Sequence, residues 1–152
     1  MGGNSTLEEF GKNFPRFRFV VLCHQFPDGA ERVSHWDLLL EQPDVSNQRL
    51  LTFEVPTSPI HWAKPTLAKQ LPDHRLTYLS YEGPISGNRG WVTRVLDGYV
   101  EWVVFSTDSL VLNLQFCWEK KDRNRPVSAI LKLSKLASEI NLNWELVMQI
   151  RE

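Results

Sequence analysis

The stretch RFRFVVLCHQFPDGAERVSHWDLLLE, residues 16–41, holds two short apolar runs on either side of a turn-forming segment. Within each run, apolar side chains of one face are spaced two residues apart: Phe17, Phe19, Val21 and Cys23 in the first, and Trp36, Leu38 and Leu40 in the second. This period is that of a β-strand with one buried face. Pro27, Asp28 and Gly29 favour a turn between the runs. The stretch therefore predicts two strands that pair antiparallel around the loop.

The same period recurs in residues 49–55, 109–118 and 143–150. Residues 91–105 place Asp97-Gly98 between two β-branched runs, a sequence typical of a hairpin turn. Residues 57–72 contain several prolines and little periodicity, which predicts a loop with one helical turn. About seven short strands with tight turns favour a closed or nearly closed β-barrel, so the predicted fold class is mainly β.

One late segment departs from the strand pattern. After Pro126 the apolar residues mostly follow a helical period: Val127, Ile130, Leu131, Leu133, Leu136, Ala137 and Ile140. Proline is compatible with the first turn of a helix. We therefore predict one amphipathic helix near residues 127–140. The domain prediction is a flexible N-terminal segment, residues 1–14, followed by a single barrel domain over 15–152.

Length and composition set broad limits on function. The chain has 152 residues and a net charge of -1, which gives no global basic field to attract nucleic acid. The basic run KKDRNR, residues 120–125, is interpreted as a solvated surface loop. Cys23 and Cys117 are expected to be small buried residues in a reducing compartment. With no apolar run long enough to cross a membrane, we expect a cytoplasmic monomer without membrane contact.

The two apolar runs also carry a group of polar residues. His35 and Asp37 are two residues apart, so they project from the same strand face. Antiparallel pairing would return His24 to their side of the loop. Two imidazoles and a carboxylate at a strand end are suited to a divalent metal. The competing interpretation is a pair of ordinary strand histidines, one of them hydrogen-bonded to Asp37.

A second polar segment, LPDHRLTYLSYEGPISGNRGWV, spans residues 71–92. It places His74 four residues before Tyr78 and ends in a glycine-rich loop. Glycines let a backbone turn sharply or pass close to a ligand. Taken alone, such a segment is more often only a turn.

Together the segments resemble the 3'-phosphoesterase domain of bacterial DNA ligase D. That family has the motifs F-V-V/I-x-x-H, H-x-D-x-R-L-E, A-V-P-K-G, E-D-H-P-L-x-Y and F-E-G in this order. The matching segments here are FVVLCH (19–24), HWDLLLE (35–41), EVPTS (54–58), PDHRLTY (72–78) and YEG (81–83). The resemblance covers roughly residues 19 to 150. It implies a small β-barrel that binds a divalent metal and processes 3'-phosphate or 3'-ribonucleotide ends of nucleic acid.

Site residues follow from the resemblance position by position. The family's metal ligands fall on His24, His35 and Asp37, with manganese the expected ion and zinc the alternative. The histidine that contacts the scissile phosphate falls on His74, and the tyrosine near it falls on Tyr78. The resemblance therefore implies metal ligation by the first group and catalysis by the second.

Three cations of the family pattern are replaced here, by Leu39, Thr57 and Thr66. Such cations would grip the phosphate, and losing one typically costs on the order of 10²-fold in rate. Replacement cations could come from nearby segments: Lys64, Lys69, Arg75 and Arg89. The segment PDGAERVS, residues 27–34, also lengthens the gap between the first two histidines. These departures leave two alternatives open, a catalytically degenerate barrel that binds a nucleic-acid end or a protein partner, and a purely structural barrel.

Overall fold

The fold is an antiparallel β-barrel of eight strands with a ninth, two-residue strand outside it. The computed structural model describes residues 17–44, 46–118, 126–137 and 143–151. Its strands are β1 (Phe17–Gln25), β2 (His35–Glu41), β3 (Arg49–Val55), β4 (Thr66–Arg75), β5 (Gly83–Pro84), β6 (Trp91–Phe105), β7 (Ser109–Trp118), β8 (Val127–Lys135) and β9 (Asn143–Arg151). Short 3₁₀ helices lie at Pro59–His61 and Leu76–Leu79. Within these described ranges, no helix is long and apolar enough to cross a membrane.

The barrel closes through the pairing of β1 with β6. The strand order is β1-β2-β3-β4-β9-β8-β7-β6, and β5 pairs with the first two residues of β6. Every pairing is antiparallel, beginning with β1 and β2 around the loop predicted from the opening stretch. The predicted barrel class is therefore confirmed.

The predicted helix near residues 127–140 is wrong, because its first nine residues form β8. Ala129, Leu131 and Leu133 are buried at every second position, and the half-buried Ile130 faces the other way. That extra apolar residue on the outer face produced the apparent helical period. Pairing of β8 with β7 on one side and β9 on the other decides the conformation, because both pairings are needed to close the barrel.

The hairpin predicted at Asp97-Gly98 is also wrong, since β6 runs unbroken through both residues. A Cβ atom on Gly98 would lie 2.0 Å from the carbonyl oxygen of Gln115 on β7. The glycine is thus explained by close approach of the neighbouring strand, another common reason for glycine within a strand.

The loop predicted over residues 57–72 holds only in its first part, where the 3₁₀ helix at Pro59–His61 supplies the expected helical turn. Its second part belongs to β4, which pairs with β3 and β9. The β3–β4 register shifts between Leu50 and Thr52, opposite the segment that holds Pro72. Such an irregularity accommodates a proline, which has no N–H to donate to the ladder.

Two apolar clusters lie on the two sides of the barrel wall. The larger one fills the interior and includes Phe19, Val21 and Leu38. The smaller one lies on the outer face of the same strands: Val20, Leu22, Leu39, Leu50, Leu79 and Val92, with Tyr78, Tyr81 and Ile85 packed against it. The segment between β4 and β6 therefore covers part of the outer wall.

Three expectations fall partly or wholly outside the described residues: the flexible segment 1–14, the basic loop 120–125, and residues 138–140 of the predicted helix. Both cysteines lie within the described residues, Cys117 buried and Cys23 half-buried.

Candidate functional site

The outer wall brings His24, His35 and Asp37 together. His24 on β1 lies directly opposite His35 on β2, and Asp37 follows two residues later on the same face. One side-chain ligand atom from each of the three lies within 4.8 Å of the others. The spacing of His35 and Asp37 and the expected antiparallel pairing of β1 with β2 predicted this arrangement.

The carboxylate of Asp37 lies between the two imidazoles. His35 Nε2 is 3.1 Å from Asp37 Oδ1, and His24 Nδ1 is 3.4 Å from Asp37 Oδ2. His35 and Asp37 are each only 4% exposed. Asp37 Oδ1 is buried and, apart from this contact with His35, has no hydrogen-bond partner among the described residues. A buried, unsatisfied carboxylate oxygen calls for an additional positive group.

Backbone carbonyls fix the orientation of both imidazoles. His24 Nε2 lies 2.8 Å from the carbonyl oxygen of Arg89, and His35 Nδ1 lies 3.0 Å from that of Val33. Because a carbonyl can only accept, these ring nitrogens carry the protons. In the neutral imidazoles, the remaining nitrogens direct lone pairs towards Asp37.

Three acceptor groups therefore converge, which is the arrangement of a metal site supported by outer hydrogen bonds. Ligand bonds of about 2.0–2.2 Å place neighbouring ligand atoms roughly 3–3.5 Å apart. Each imidazole lies at about that distance from a different oxygen of Asp37, and one ligand atom from each of the three residues lies within 4.8 Å of the others, so a small adjustment of the side chains would bring all three onto one ion. The donor set of His24, His35 and Asp37 thus fits a divalent ion such as manganese or zinc.

Charges within the group shift its titration. Burial alone would lower the pKa of His35, but the adjacent Asp37 carboxylate, with smaller help from Val33 and Glu54, raises it above the usual value. Burial opposes ionisation of Asp37, yet the two imidazoles beside it hold its pKa below the usual range. For Cys23, burial first and the Asp37 charge second raise the pKa of the thiol, which disfavours a thiolate ligand.

His74 and Tyr78 line the same cavity as the three clustered residues, a space of about 380 Å³. His74 lies opposite Leu50 near the end of β4, and Tyr78 lies in the 3₁₀ helix that follows. Their ring centroids are 5.6 Å apart. His74 Nδ1 donates to the carbonyl of Pro72 at 2.9 Å, and this hydrogen bond does not use Nε2.

Three further residues surround the clustered group and were missed in the sequence. Glu54 is the cross-strand partner of Asp37 and lies 3.6 Å from His35 Nε2. Phe26 stacks on His24, with centroids 4.4 Å apart. Arg32 also lines the cavity. The β2–β3 register would have revealed Glu54, whereas the two loop residues carry no periodic signal.

The sites of the three replaced cations are not equivalent. Leu39 is fully buried in the outer apolar cluster, and Thr66 lies at the start of β4 opposite Leu146. The side-chain oxygen of Thr57 is buried without a hydrogen-bond partner. Leu39 is therefore part of the wall's packing, whereas Thr57 and Thr66 are half-buried.

Of the candidate replacement cations, Arg89 lines the main cavity. Arg75 lines a neighbouring cavity of about 240 Å³, which shares Tyr78 and Arg89 with the first. Lys64 and Lys69 line neither of these two cavities. One arginine of the four therefore borders the space that the clustered histidines face.

No protein-family model matches the chain, and no curated protein matches it. Function must therefore be argued from the site. The cavity combines a candidate metal centre with a further histidine and with arginine side chains on its lining. Such a combination is suited to binding an anion, in particular one that coordinates a metal.

Proposed function

We propose that this chain is a divalent-metal-dependent phosphoesterase acting on 3'-phosphate or 3'-ribonucleotide ends of nucleic acid, like the ligase D domains that its motifs resemble. The proposal rests chiefly on the convergence of His24, His35 and Asp37 in a cavity that His74 also lines. Manganese is the proposed ion and zinc the alternative. When bound, the metal would supply Lewis-acid polarisation of a phosphate oxygen.

The chain's own residues have distinct roles in this proposal. His24, His35 and Asp37 hold the ion, and the carbonyls of Arg89 and Val33 fix the two imidazoles. His74 would donate a proton from Nε2 to the leaving oxygen as its bond to phosphorus breaks, and water would supply the new P–O bond.

Tyr78, 5.6 Å from His74 between ring centroids, orients that imidazole by packing beside it. Because Leu79 of the same 3₁₀ helix packs in the outer apolar cluster, the position of the tyrosine is anchored to the barrel wall.

A second candidate function is a catalytically degenerate barrel that binds a nucleic-acid end or a protein. The replacement of three family cations by Leu39, Thr57 and Thr66 favours it. Each missing cation would reduce turnover on the order of 10²-fold unless another group takes its place. This alternative retains binding in the cavity and predicts no hydrolysis.

The test is release of phosphate from a 3'-phosphorylated DNA or RNA primer, with manganese or with a chelator. Under the proposal, hydrolysis requires metal and is abolished by His35→Ala and by His74→Ala. The first variant also loses manganese binding, measured calorimetrically, whereas the second retains it. His61→Ala is the matched control, because His61 is an exposed histidine that lines neither cavity. Metal binding without hydrolysis in the wild type would instead support the binding-module function.

A further inference from the structure

Arg32 lies in the loop between β1 and β2, within the segment that lengthens the gap between the first two histidines. Its guanidinium carbon is 5.4 Å from the centroid of the Phe26 ring. Its Nη2 donates to Glu54 Oε1 at 2.7 Å. The same side chain lines the cavity that holds the candidate metal centre. The inserted loop thus places a cation beside that centre.

We propose that Arg32 is the oxyanion-binding cation of this cavity, and that Glu54 and Phe26 hold its guanidinium in position. The inference rests on the proposed function, because the oxyanion would be the phosphate of the substrate. It names a catalytic residue for which the motifs provide no counterpart. Arg32 would take over part of the role that the family gives to the cations replaced by Leu39, Thr57 and Thr66.

The contacts around the cavity support this role. Phe26 lies between two partners, since it stacks on His24 at 4.4 Å and packs beneath Arg32. Glu54 contacts Arg32 and lies 3.6 Å from His35 Nε2. Phe26 therefore links the guanidinium to His24, and Glu54 links it to His35. A cation held in this way is positioned before an anion arrives, which reduces the entropy lost on binding.

The guanidinium also retains donors for a ligand. Arginine has five N–H donors in a planar fork, which matches the paired oxygens of a phosphate. The recorded hydrogen bond to Glu54 uses Nη2 only. The side chain is 58% exposed, so an anion can reach it.

Arg89, the other arginine of the main cavity, is engaged differently. Its Nε donates to the carbonyl of Ser86 at 2.6 Å, and its Nη2 to the Ser86 hydroxyl at 3.2 Å. Two donor groups of Arg89 are thus used within its own loop, whereas Arg32 is held by a carboxylate beside the metal centre. This difference favours Arg32 as the residue that grips the oxyanion.

The experiment titrates inorganic phosphate into the manganese-loaded protein by calorimetry. Arg32→Gln is expected to weaken phosphate binding on the order of 10- to 100-fold, the effect of losing a charge-assisted hydrogen bond. Arg32→Lys should recover part of that loss, because it restores the charge without the planar fork. Arg151→Gln, at an exposed arginine at the end of β9, is the control and should bind as the wild type does.

Glu54 is tested as a positioning residue by a double variant. Glu54→Ala alone should weaken phosphate binding, but it should add little when Arg32 is already glutamine, because it acts through Arg32. Additive effects would overturn the positioning role. An unchanged thermal midpoint in Arg32→Gln would show that the variant is folded.

The failures are distinguishable. Unchanged phosphate binding in Arg32→Gln, or no phosphate binding in the wild type, overturns the role of Arg32. If the primer is hydrolysed while Arg32→Gln binds phosphate normally, the proposed function stands and this inference falls. If phosphate binding depends on Arg32 but no primer is hydrolysed, the inference stands as an anion site and the hydrolase function falls.

Discussion

The strand-built and loop-built sides of the cavity differ in how their residues are fixed. His24, His35 and Asp37 stand on paired strands, where register determines which side chains meet. Arg32 comes from a loop, and His74 lies beside the irregular β3–β4 register. Paired strands impose the close spacing that a metal requires, within a few tenths of an ångström. Loops can vary without disturbing that spacing, which is consistent with placing the phosphate-binding cation on one.

The largest expected effect is on the strand-built side. Asp37→Asn preserves the shape of the side chain but removes the charge that lies between the two imidazoles. We expect manganese binding to weaken by more than the roughly 10–100-fold that follows loss of an outer hydrogen-bond partner. Calorimetric titration with manganese measures this. Binding equal to wild type would mean that the ion does not occupy the clustered residues.

The next prediction concerns the apolar part of the same wall. Leu39→Arg would introduce the arginine of the motif that β2 resembles, but Leu39 is fully buried in the outer cluster. An uncompensated charge there should lower the free energy of unfolding by about 3–5 kcal/mol. Denaturant titration checks this, with Leu39→Met as the volume-conserving control, expected to cost less than about 1.5 kcal/mol.

A stable Leu39→Arg protein with increased phosphate release would contradict this picture. It would mean that the outer cluster opens to let the arginine reach the cavity, as in the family pattern. The packing around position 39 would then not be the reason that leucine, rather than arginine, stands there.

A smaller effect is expected where a loop supports a strand ligand. Gly90 has a φ of +78°, and a Cβ there would lie 2.1 Å from the carbonyl oxygen of Gln25. The preceding residue, Arg89, supplies the carbonyl that orients His24. Gly90→Ala should displace that carbonyl and weaken manganese binding on the order of 10-fold.

Gly29→Ala is the matched control for that variant, because Gly29 also has a positive φ, +84°, but no atom within 4 Å of an added Cβ. Both substitutions strain the backbone, and only one disturbs the carbonyl that holds His24. Equal manganese affinities in the two variants would show that the loop does not orient the ligand.

How far the sequence predicts the structure differs from strand to strand. The alternating apolar residues of β2, β3 and β7 predict their bounds and place His35 and Asp37 on one face. The same approach fails for β8, where Ile130 adds an apolar residue on the outer face, and for β4, where only Ala68 is buried. Both strands are specified by their neighbours in the barrel, which local periodicity does not report.

In the candidate site, the sequence predicts the strand residues but not the loop residue. Spacing within β2, together with the expected pairing of β1, brings the three clustered residues together. The position of Arg32 depends on a loop conformation and on contact with Glu54 across strands, neither of which the spacing of residues contains. The resemblance could not indicate it either, because the loop lengthens the family pattern.

The smallest effect is a pH dependence of the metal-free protein. The raised pKa of His35 means that its stabilising contribution is full below its unfolded value, about 6.5, and is lost as pH rises through the folded pKa. The lowered pKa of Asp37 gives the opposite sign: its contribution is present above about 3.9 and is lost as pH falls through the folded pKa. Both contributions are therefore full between about pH 4 and about pH 6.5.

We expect the thermal midpoint of the wild type in chelator to exceed that of His35→Gln at about pH 6, and the gap to shrink towards about pH 8. With saturating manganese, the difference in thermal midpoint should instead grow as pH rises. Protons compete with the metal for the imidazoles, so the metal stabilises the wild type more at higher pH. Thermal unfolding of both proteins across this range, with and without manganese, measures both trends. A gap that stays constant in chelator would mean that His35 and Asp37 do not interact as charges. If the rise in thermal midpoint caused by manganese did not grow with pH, the imidazoles would not be ligands of the ion. The strand-built side would then hold no metal.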